Sequence, residues 1–379
     1  MKEPKIRFIG FKGEWEIDKI GNFSTSFSGG TPTAGISAYY GGNIPFIRSG
    51  EIHEDKTELS LTEKGYNNSS AKIVEKGTLL YALYGATSGD VAISKIRGAI
   101  NQAILAIIPY KSVETDFLAD FLLCNKNKIV GELLQGGQGN LSGSLVKDIN
   151  VTYPCLSEQR AIASYFQHLD SLIQSTTKKI ESLKQVKAAS LQAMFPQEGE
   201  TTPRVRFKGF EGEWEKVKIQ DICSKANSTH SENSLGENIG IYPIFGANGY
   251  LQNITTFDFS FPYIGIIKDG SGVGRSQLYP AFSSILGTMQ YILQKGDINI
   301  SFLAYLFETI DFSMYINGSS IPHIYFKDYC EQDEYIPSIA EQRAIASYFT
   351  TLDRQINLLS QQLEKLKQIK AACLDEMFV

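Results

Sequence analysis

The chain has 379 residues, of which 42% are apolar, and a formal net charge of −5. This length exceeds one ordinary hydrophobic core and predicts two or three domains. The negative charge counts against a simple basic patch for nucleic acid. The five cysteines form no Cys-x-x-Cys pair and the four histidines are isolated, which excludes a disulfide framework or a zinc site of familiar spacing. No stretch approaches the ~18 apolar residues of a membrane span, and the first residues lack the apolar segment of a secretory signal, so we expect a cytoplasmic protein.

The first predicted domain covers 1–157, where short apolar or β-branched runs alternate with turns rich in Gly, Asn and Ser. One amphipathic helix is expected near 116–134. The 16 basic and 16 acidic residues of this domain balance each other. These features predict an α+β domain with a curved β-sheet.

A long helix is predicted next, over 158–195, because this segment contains neither Pro nor Gly and ends before Pro196. At 1.5 Å per residue it would be roughly 57 Å long. We assign 158–196 as a first spacer helix. Its apolar residues recur every three or four positions, as in a coiled-coil seam. With Thr176 as its polar member, the seam consists of Leu169, Ile173, Thr176, Ile180, Leu183 and Val186.

The second predicted domain covers 197–340 and has the same mixed pattern, with an amphipathic helix expected near 300–315. It is shorter than the first and more acidic, since 201–340 holds 10 basic and 15 acidic residues. The glycine-rich segment 270–276 lacks the spacing of a phosphate-binding loop and has Arg where such a loop has Lys. The sequence also contains no metalloprotease, nucleophile-elbow or dinucleotide-binding signature. We therefore predict no catalytic residue and no metal ligand.

A second spacer helix is predicted over 341–379. Its seam consists of Leu352, Ile356, Leu359, Leu363, Leu366, Ile369 and Cys373. If this helix packs on the first, the two run antiparallel as a coiled coil that separates the two α+β domains. An ordinary helical hairpin that only holds two domains together is the simpler alternative.

Two sequence repeats divide the chain into matching halves. The nine residues 158–166, Glu-Gln-Arg-Ala-Ile-Ala-Ser-Tyr-Phe, recur unchanged at 341–349. The motif Arg-Phe-x-Gly-Phe-x-Gly-Glu-Trp-Glu occupies 7–16 and 206–215 and contains both tryptophans. These repeats predict a pseudo-twofold organisation.

The nine-residue repeat is longer than packing of a helical seam requires. We therefore expect it to form two equivalent docking surfaces for a partner protein. The predicted docking residues are Glu158, Gln159, Arg160, Tyr165, Glu341, Gln342, Arg343 and Tyr348.

These motifs resemble those of a known protein family. Gly-Glu-Trp at 13–15 and 212–214, and Pro-x-x-x-Glu-Gln-x-x-Ile-Ala at 154–163 and 337–346, are similar to motifs of the specificity subunits of type I restriction-modification systems. The resemblance covers essentially the whole chain. It implies a non-catalytic protein whose two target-recognition domains each read one half of a split DNA target. The helices would set the spacing between the halves.

The resemblance also implies partners and cofactors. Two adenine-methylating modification subunits would dock on the chain and bring S-adenosylmethionine, and restriction subunits would bring ATP and Mg. This chain itself would bind double-stranded DNA, none of these cofactors and no membrane. A DNA-reading chain with a net negative charge is compatible with this arrangement. Phosphate contacts position a protein on DNA and base contacts specify the sequence, so partner subunits would supply the positive charge.

The motifs do not identify the base-reading residues, since the loops are where this family varies. We take polar residues in and beside the glycine-rich loops as candidates, because glycine permits close approach and polar side chains bond to base edges. Ordinary turn chemistry is the alternative for any single loop. The candidate DNA-binding residues are Ser28, Thr31, Arg48, Thr87, Ser88, Gln138, Asn140, Ser142, Lys147, Tyr242, Asn248, Lys268, Ser271, Arg275, Ser319, His323 and Lys327.

Two other functional hypotheses remain open from the residues alone. One is a helical scaffold whose end domains bind proteins or other ligands, and the other is a stand-alone enzyme of unknown type. The unchanged helix repeat favours a specificity subunit over an enzyme. The charge does not separate a specificity subunit from a scaffold.

Overall fold

The structure is a computed structural model that describes residues 3–134, 140–318 and 320–379. The chain forms two compact units. Unit 1 consists of 1–176 and 362–379, and unit 2 consists of 177–361. Each long helix contributes one part to each unit. The α+β class predicted from the sequence is confirmed, with sheets in both units and two long helices.

The described residues of unit 1 form ten strands and the shorter helices that connect them. The strands are β1 (Glu16–Lys19), β2 (Ser24–Ser28), β3 (Tyr40–Ile47), β4 (Ser60–Leu61), β5 (Lys72–Val74), β6 (Leu79–Ala82), β7 (Val91–Ile93), β8 (Gly98–Ile100), β9 (Ile104–Pro109) and β10 (Asn150–Tyr153). The helices are α1 (Ile20–Phe23), α2 (Glu63–Asn67), α3 (Thr115–Cys124), α4 (Lys126–Leu134), α5 (Gly143–Lys147) and the start of α6 (Leu156–Met194).

The strands described for unit 1 form three sheets. An antiparallel sheet has the order β2-β9-β6-β7, and a second sheet has the order β4-β3-β8-β5 with β3 parallel to β8. Strands β1 and β10 form a separate antiparallel pair. Successive side chains of a strand point to opposite faces. In β6, Leu79 and Tyr81 accordingly enter a core with the helices, while Leu80 and Ala82 enter a core with the second sheet. Burial on both faces explains the uninterrupted apolar run of this strand.

Unit 2 repeats much of this plan. Its strands are β11 (Glu215–Lys218), β12 (Cys223–Asn227), β13 (Tyr242–Gly246), β14 (Gly249–Ile254), β15 (Tyr263–Ile267), β16 (Ser276–Tyr279), β17 (Ser284–Ile285), β18 (Met289–Gln294) and β19 (Asp333–Ile336). Its helices are α7 (Ile219–Ile222), α8 (Ile300–Thr309), α9 (Phe326–Tyr329) and the start of α10 (Ile339–Met377). The sheet orders are β12-β18-β15-β16, β14-β13-β17 and β11-β19.

The repeated tryptophans and the helix ends form the centre of each core. In unit 1, Phe378 follows α10 and lies 5.3 Å from the ring of Phe117, which in turn contacts Trp15 at 5.9 Å. In unit 2, Phe195 follows α6 and lies 5.5 Å from the ring of Phe302 and 6.2 Å from that of Trp214. The Met-Phe pair that ends each repeat is therefore a core element of the unit that it enters.

The two long helices have 39 residues each and begin two residues before the predicted bounds. In unit 1, Tyr165 Oη lies 3.4 Å from Cys373 Sγ, and Lys370 Nζ donates to Asp170 at 2.5 Å. Residue numbers therefore rise along α6 as they fall along α10, which confirms the predicted antiparallel pairing. Among the described residues, no helix is long and apolar enough to cross a membrane.

Candidate nucleic-acid interface

A buried ion pair in unit 1 joins the two sequence repeats. The guanidinium of Arg7 donates to both carboxylate oxygens of Glu158 at 2.7 and 2.8 Å, and to the Gly13 carbonyl at 2.7 Å. The side chain of Glu158 is 1% exposed. Hydrogen bonding to Glu158 raises the pKa of Arg7. A two-bond pair of this kind satisfies a buried carboxylate and fixes its geometry.

The next residue ties α6 to α3. The side-chain oxygen of Gln159 accepts from the backbone N–H of Glu114, at the start of α3, at 2.8 Å. Its amide nitrogen donates to the carbonyls of Ser112 at 3.2 Å and Pro154 at 2.8 Å. The start of α6, the loop before it and the loop before α3 are thereby joined through one side chain.

Unit 2 contains the same arrangement. Arg206 donates to Glu341 at 2.6 and 2.8 Å and to the Gly212 carbonyl at 2.6 Å. Gln342 accepts from the N–H of Asn299 at 3.0 Å, at the start of α8. We call each arrangement a clamp, made of Arg7, Glu158 and Gln159 in unit 1 and of Arg206, Glu341 and Gln342 in unit 2. The two sequence repeats of each half thus form one structural module.

The clamps correct the expected location of four predicted docking residues. These four, which we expected on a surface, are buried within their own units and hydrogen-bonded there; they are Glu158, Gln159, Glu341 and Gln342. Arg160 is 66% exposed and lies 3.4 Å from Glu114. Arg343 is also exposed. A partner could reach these two arginines but not the buried residues.

The predicted docking tyrosines lie beside the first repeat. Tyr165 packs edge-on against Phe8 at 5.7 Å, and Tyr348 packs in the same way against Phe207 at 6.0 Å. Both tyrosines are partly exposed. In unit 2, an open groove of about 450 Å³ runs beside Tyr348 and Phe207.

Four loops of unit 1 meet at one edge of its sheets. The Gly30 N–H donates to the Ile100 carbonyl at 3.2 Å, which holds loop 28–32 against the turn after β8. The Leu83 N–H donates to the Ala103 carbonyl at 2.8 Å, and the Leu141 N–H donates to the Leu83 carbonyl at 3.0 Å. Loops 28–32, 83–90, 100–103 and 140–142 therefore form one surface, which we call loop group 1.

Most candidates of unit 1 lie in loop group 1. They are Ser28, Thr31, Thr87, Ser88, Asn140 and Ser142. Ser88 and Ser142 also have structural bonds, because Ser88 donates to the Leu83 carbonyl at 3.2 Å and Ser142 caps α5. The candidate Gln138 lies outside the described residues.

Two other candidates of unit 1 are engaged elsewhere. The guanidinium of Arg48 bonds to the carboxylates of Glu51 and Glu58. The Arg48 hydrogen bonds lower the pKa of Glu51. The side chain of Lys147 lies against Gly21 of α1. Neither residue joins loop group 1 through a hydrogen bond among the described residues.

Sequence reasoning missed Asn101 and Gln102, which form the centre of loop group 1. Gln102 is exposed and accepts a hydrogen bond from the Thr31 hydroxyl. The available signal was a polar pair between two apolar runs, at 98–100 and 103–108. Because no glycine adjoins this pair, its pattern does not mark it as one of the glycine-rich loops.

Three loops of unit 2 also meet. The Gly270 N–H donates to the Pro322 carbonyl at 2.9 Å, and the Ile324 N–H donates to the Lys268 carbonyl at 2.9 Å. The guanidinium of Arg275 donates to the Ala247 carbonyl at 2.6 Å. Loops 246–249 and 268–275, together with residues 317–318 and 320–324, therefore form a second surface, loop group 2.

Most candidates of unit 2 lie in loop group 2: Asn248, Lys268, Ser271, Arg275 and His323. Tyr242 is at the opposite end of β13, where its ring packs on Phe257 at 4.8 Å. Lys327 lies on α9, with its ammonium 5.6 Å from the centre of the Tyr325 ring. Ser319 lies outside the described residues.

Sequence reasoning missed Thr288, which adjoins loop group 2. The carbonyl of Thr288 accepts from the N–H groups of Lys268 and Asp269 at 3.0 and 3.2 Å. Its position in the turn before β18 corresponds to that of 101–103 before β9 in unit 1. Within the described part of the chain, no group of three or more His, Cys, Asp or Glu residues is placed to hold a metal ion.

Comparison with known proteins identifies the family to which this chain is similar. The sequence model of the type I restriction modification DNA specificity domain matches residues 12–185 and 211–368. The MjaIX specificity subunit of Methanocaldococcus jannaschii is 32% identical over 184 residues, which are 46% of this chain and 42% of that protein. The MjaVIII specificity subunit of the same organism is 20% identical over 392 residues, covering 94% and 90% of the two chains. The chain thus aligns with less than half the length of the first relative and most of the second.

Solved structures share the fold. The crystal structure of the type I restriction-modification S subunit from M. genitalium has a TM-score of 0.74 at 16% identity and covers 100% of this chain and 99% of that one. A chain from a structure of the assembly and conformational transition of the type I R-M system has a TM-score of 0.54 at 15% identity, covering 96% and 97%. Because the family match spans both units, this chain belongs to the family of type I restriction-modification DNA specificity domains.

Proposed function

We propose that this chain is the non-catalytic DNA-specificity subunit of a type I restriction-modification complex, in which each unit reads one half of a bipartite target. The observation that carries this proposal is the pair of loop groups. Each unit presents several polar loops at one surface, on a scaffold that the duplicated clamp builds in the same way. Family membership does not support the alternative of a scaffold with ligand-binding end domains.

Different side chains in the two loop groups favour two different half-sites. Loop group 1 offers hydroxyl and amide groups, from residues such as Thr31, Ser88 and Asn140. Loop group 2 adds the guanidinium of Arg275 and the ammonium of Lys268, which lies 3.6 Å from the Asp269 carboxylate. Because amides favour adenine and arginine favours guanine in the major groove, the two groups would select different bases.

The long helices would set the distance between the half-sites. A 39-residue helix is about 58 Å long, which exceeds one turn of B-DNA of about 34 Å. Bases between the two half-sites would then remain unread. Because the proposed target is DNA, we expect this protein to act in the cytoplasm.

Catalytic chemistry would belong to partner subunits. We expect two modification subunits, one on the exposed part of each module, where Arg160 and Tyr165 or Arg343 and Tyr348 are accessible. S-adenosylmethionine would be bound by these subunits, and ATP and Mg by restriction subunits. Partners would also supply phosphate contacts, since the net charge of this chain is −5.

A methylation map tests this proposal. The chain and its modification subunit would be expressed in a bacterium that lacks DNA methylation, and modified adenines would be located by genome sequencing. We expect one two-part motif with an unread gap of fixed length. A stable complex that produces no sequence-specific methylation would contradict the proposed function.

A further inference from the structure

Gln102 and Thr31 form an exposed polar pair on a rigid base. Thr31 Oγ1 donates a hydrogen bond to Gln102 Oε1, although the two residues are 71 positions apart in the sequence. Both side chains are exposed. The residues that flank the turn, Ile100 and Ala103, are 0% and 5% exposed. Buried residues on both sides of the turn thus hold the exposed pair in place.

Two glycines make this pairing possible. A Cβ atom on Gly29 would lie 1.8 Å from the Ile100 carbonyl oxygen, and one on Gly30 would lie 1.9 Å from Ser70 Oγ. Only glycine permits so close an approach of the loop to the end of β8 at position 29 and to Ser70 at position 30. The Gly30 N–H then bonds to the Ile100 carbonyl at 3.2 Å, which positions Thr31 above Gln102. The Gly-Gly-Thr sequence therefore has a structural purpose in this loop.

The Thr31 bond fixes which way the amide of Gln102 faces. An amide oxygen has two lone pairs and the amide nitrogen has two protons. Thr31 uses one lone pair, so one acceptor site and both donors remain. Among the described residues, the Gln102 nitrogen has no hydrogen-bond partner. By contrast, the side-chain oxygen of the neighbouring Asn101 accepts from the Ala103 N–H at 3.1 Å, within the turn.

We propose that Gln102, held by Thr31, is a base-reading residue of unit 1 and that it reads an adenine. Its amide nitrogen would donate to adenine N7, and its oxygen would accept from the adenine N6 amino group, the two-bond pairing that suits this base. This inference rests on the proposed function. Gln102 would thus contact the base, although no sequence motif identifies it. Thr31 would be a positioning residue that acts through Gln102.

Arg48 is less suited than Gln102 to contact a base in unit 1. Arginine is the usual partner of guanine, but the Arg48 guanidinium already bonds to two carboxylates. Reading a base would require Arg48 to leave Glu51, a residue whose side chain is only 15% exposed. Gln102 needs no such rearrangement.

Three variants test the proposal in the complex with the modification subunits. Gln102→Glu keeps the size and the bond from Thr31 but removes the donors, Gln102→Ala removes the whole amide, and Thr31→Val removes only the positioning bond. The probes are DNA duplexes that carry the wild-type motif, with each of the four base pairs in turn at every specified position. Binding and methylation rate would be measured for each duplex.

We expect the wild-type complex to require an A·T pair at one position, where Gln102→Ala lowers the preference for adenine by about 5- to 150-fold. Gln102→Glu should shift the preference at the same position towards cytosine, whose amino group donates to a carboxylate. Thr31→Val should give a smaller loss at that position. Every position of the other half-site should keep its wild-type preference, which also shows that the variants fold and assemble.

Three results would overturn the proposal. The first is unchanged base preference in both Gln102 variants, and the second is an equal loss in both half-sites, which would indicate a structural role. The third is a change of base preference in the Gln102 variants at a position that is not an A·T pair in the wild-type motif. A wild-type complex without any sequence preference would instead contradict the proposed function itself.

Discussion

At the scale of single residues, the clamps explain why both sequence repeats are present in each half. Arg7 and Glu158 come from different repeats, yet they bond to each other in a buried pair. A buried carboxylate without its partner is strongly destabilising, whereas an exposed ion pair contributes little. The repeat therefore encodes the attachment of the first motif to the start of the long helix.

Removing Arg7 should consequently destabilise the protein. We expect Arg7→Ala to lower the free energy of unfolding by about 3 kcal/mol, because Glu158 is left buried without a partner. Arg204→Ala is the matched control, since Arg204 forms an exposed pair with Glu200 and its loss should lower the free energy of unfolding far less. Urea titration of both variants measures the difference. Equal losses in the two would contradict the role given to the clamp.

Asp120 provides a residue-scale test that depends on pH. Burial raises the pKa of this carboxyl to about 7, Lys370 opposes the shift, and Asp170 and Asp116 add to it. Below about pH 4 the group is protonated in both folded and unfolded chains and costs nothing. As pH rises from about 4 to 7, the unfolded chain ionises first, so folding stability is lost over this window.

Asp120→Asn should therefore raise the melting temperature at pH 8 and change it little at pH 4. The amide copies the shape of the protonated carboxyl and does not ionise. Melting curves of the variant and the wild type across this pH range measure the effect. A stabilisation of equal size at pH 4 and pH 8 would contradict the titration of Asp120 as its cause.

Residue roles were the part that the sequence predicted least well. Identity between two segments indicates a shared constraint, but it does not say whether that constraint is a partner or the interior of the same unit, and Glu158 proved to be interior. Composition likewise does not reveal that Arg48 is paired with two carboxylates. Gln102 was missed because its significance depends on Thr31, which only the fold brings near.

At the scale of elements, the long helices and the strands followed the sequence pattern closely. Helix α6 lacks Pro and Gly, so its bounds were predicted within two residues. The apolar runs at 79–82 and 263–267 became central strands that are buried on both faces. The pairing of strands was not predictable in the same way, because parallel neighbours such as β3 and β8 are distant in sequence.

The end of α10 gives a prediction at this scale. Phe378 lies against Phe117, Phe121 and Phe166 in the core of unit 1. Phe378→Ala should cost about 3–5 kcal/mol through loss of buried surface and the cavity that is left. Hydrogen exchange should show faster opening of β6 in unit 1 and little change in β15 of unit 2.

Val379→Ala is the control, since this neighbouring residue is 39% exposed. It should leave exchange in both units close to wild type. Equal acceleration of β6 and β15 in Phe378→Ala would contradict the assignment of the helix end to the core of unit 1.

At the scale of the whole molecule, the chain is one module used twice with different loops. The clamp, the Trp–Phe core and the entering Met-Phe pair recur, as seen for Phe378 with Phe117 and for Phe195 with Phe302. Repetition was evident from the sequence because identical segments align without gaps. The loops diverged, so the surfaces that distinguish the two units became visible only when their loops were seen to meet.

The central claim is that each unit reads its own half of the target independently. The most direct measurement exchanges residues 15–153 for the corresponding segment of another family member and maps adenine methylation by the hybrid complex. We predict that one half of the motif changes, while the other half and the length of the gap stay as in the wild type. A change in both halves, or no change in either, would contradict independent reading by the two units.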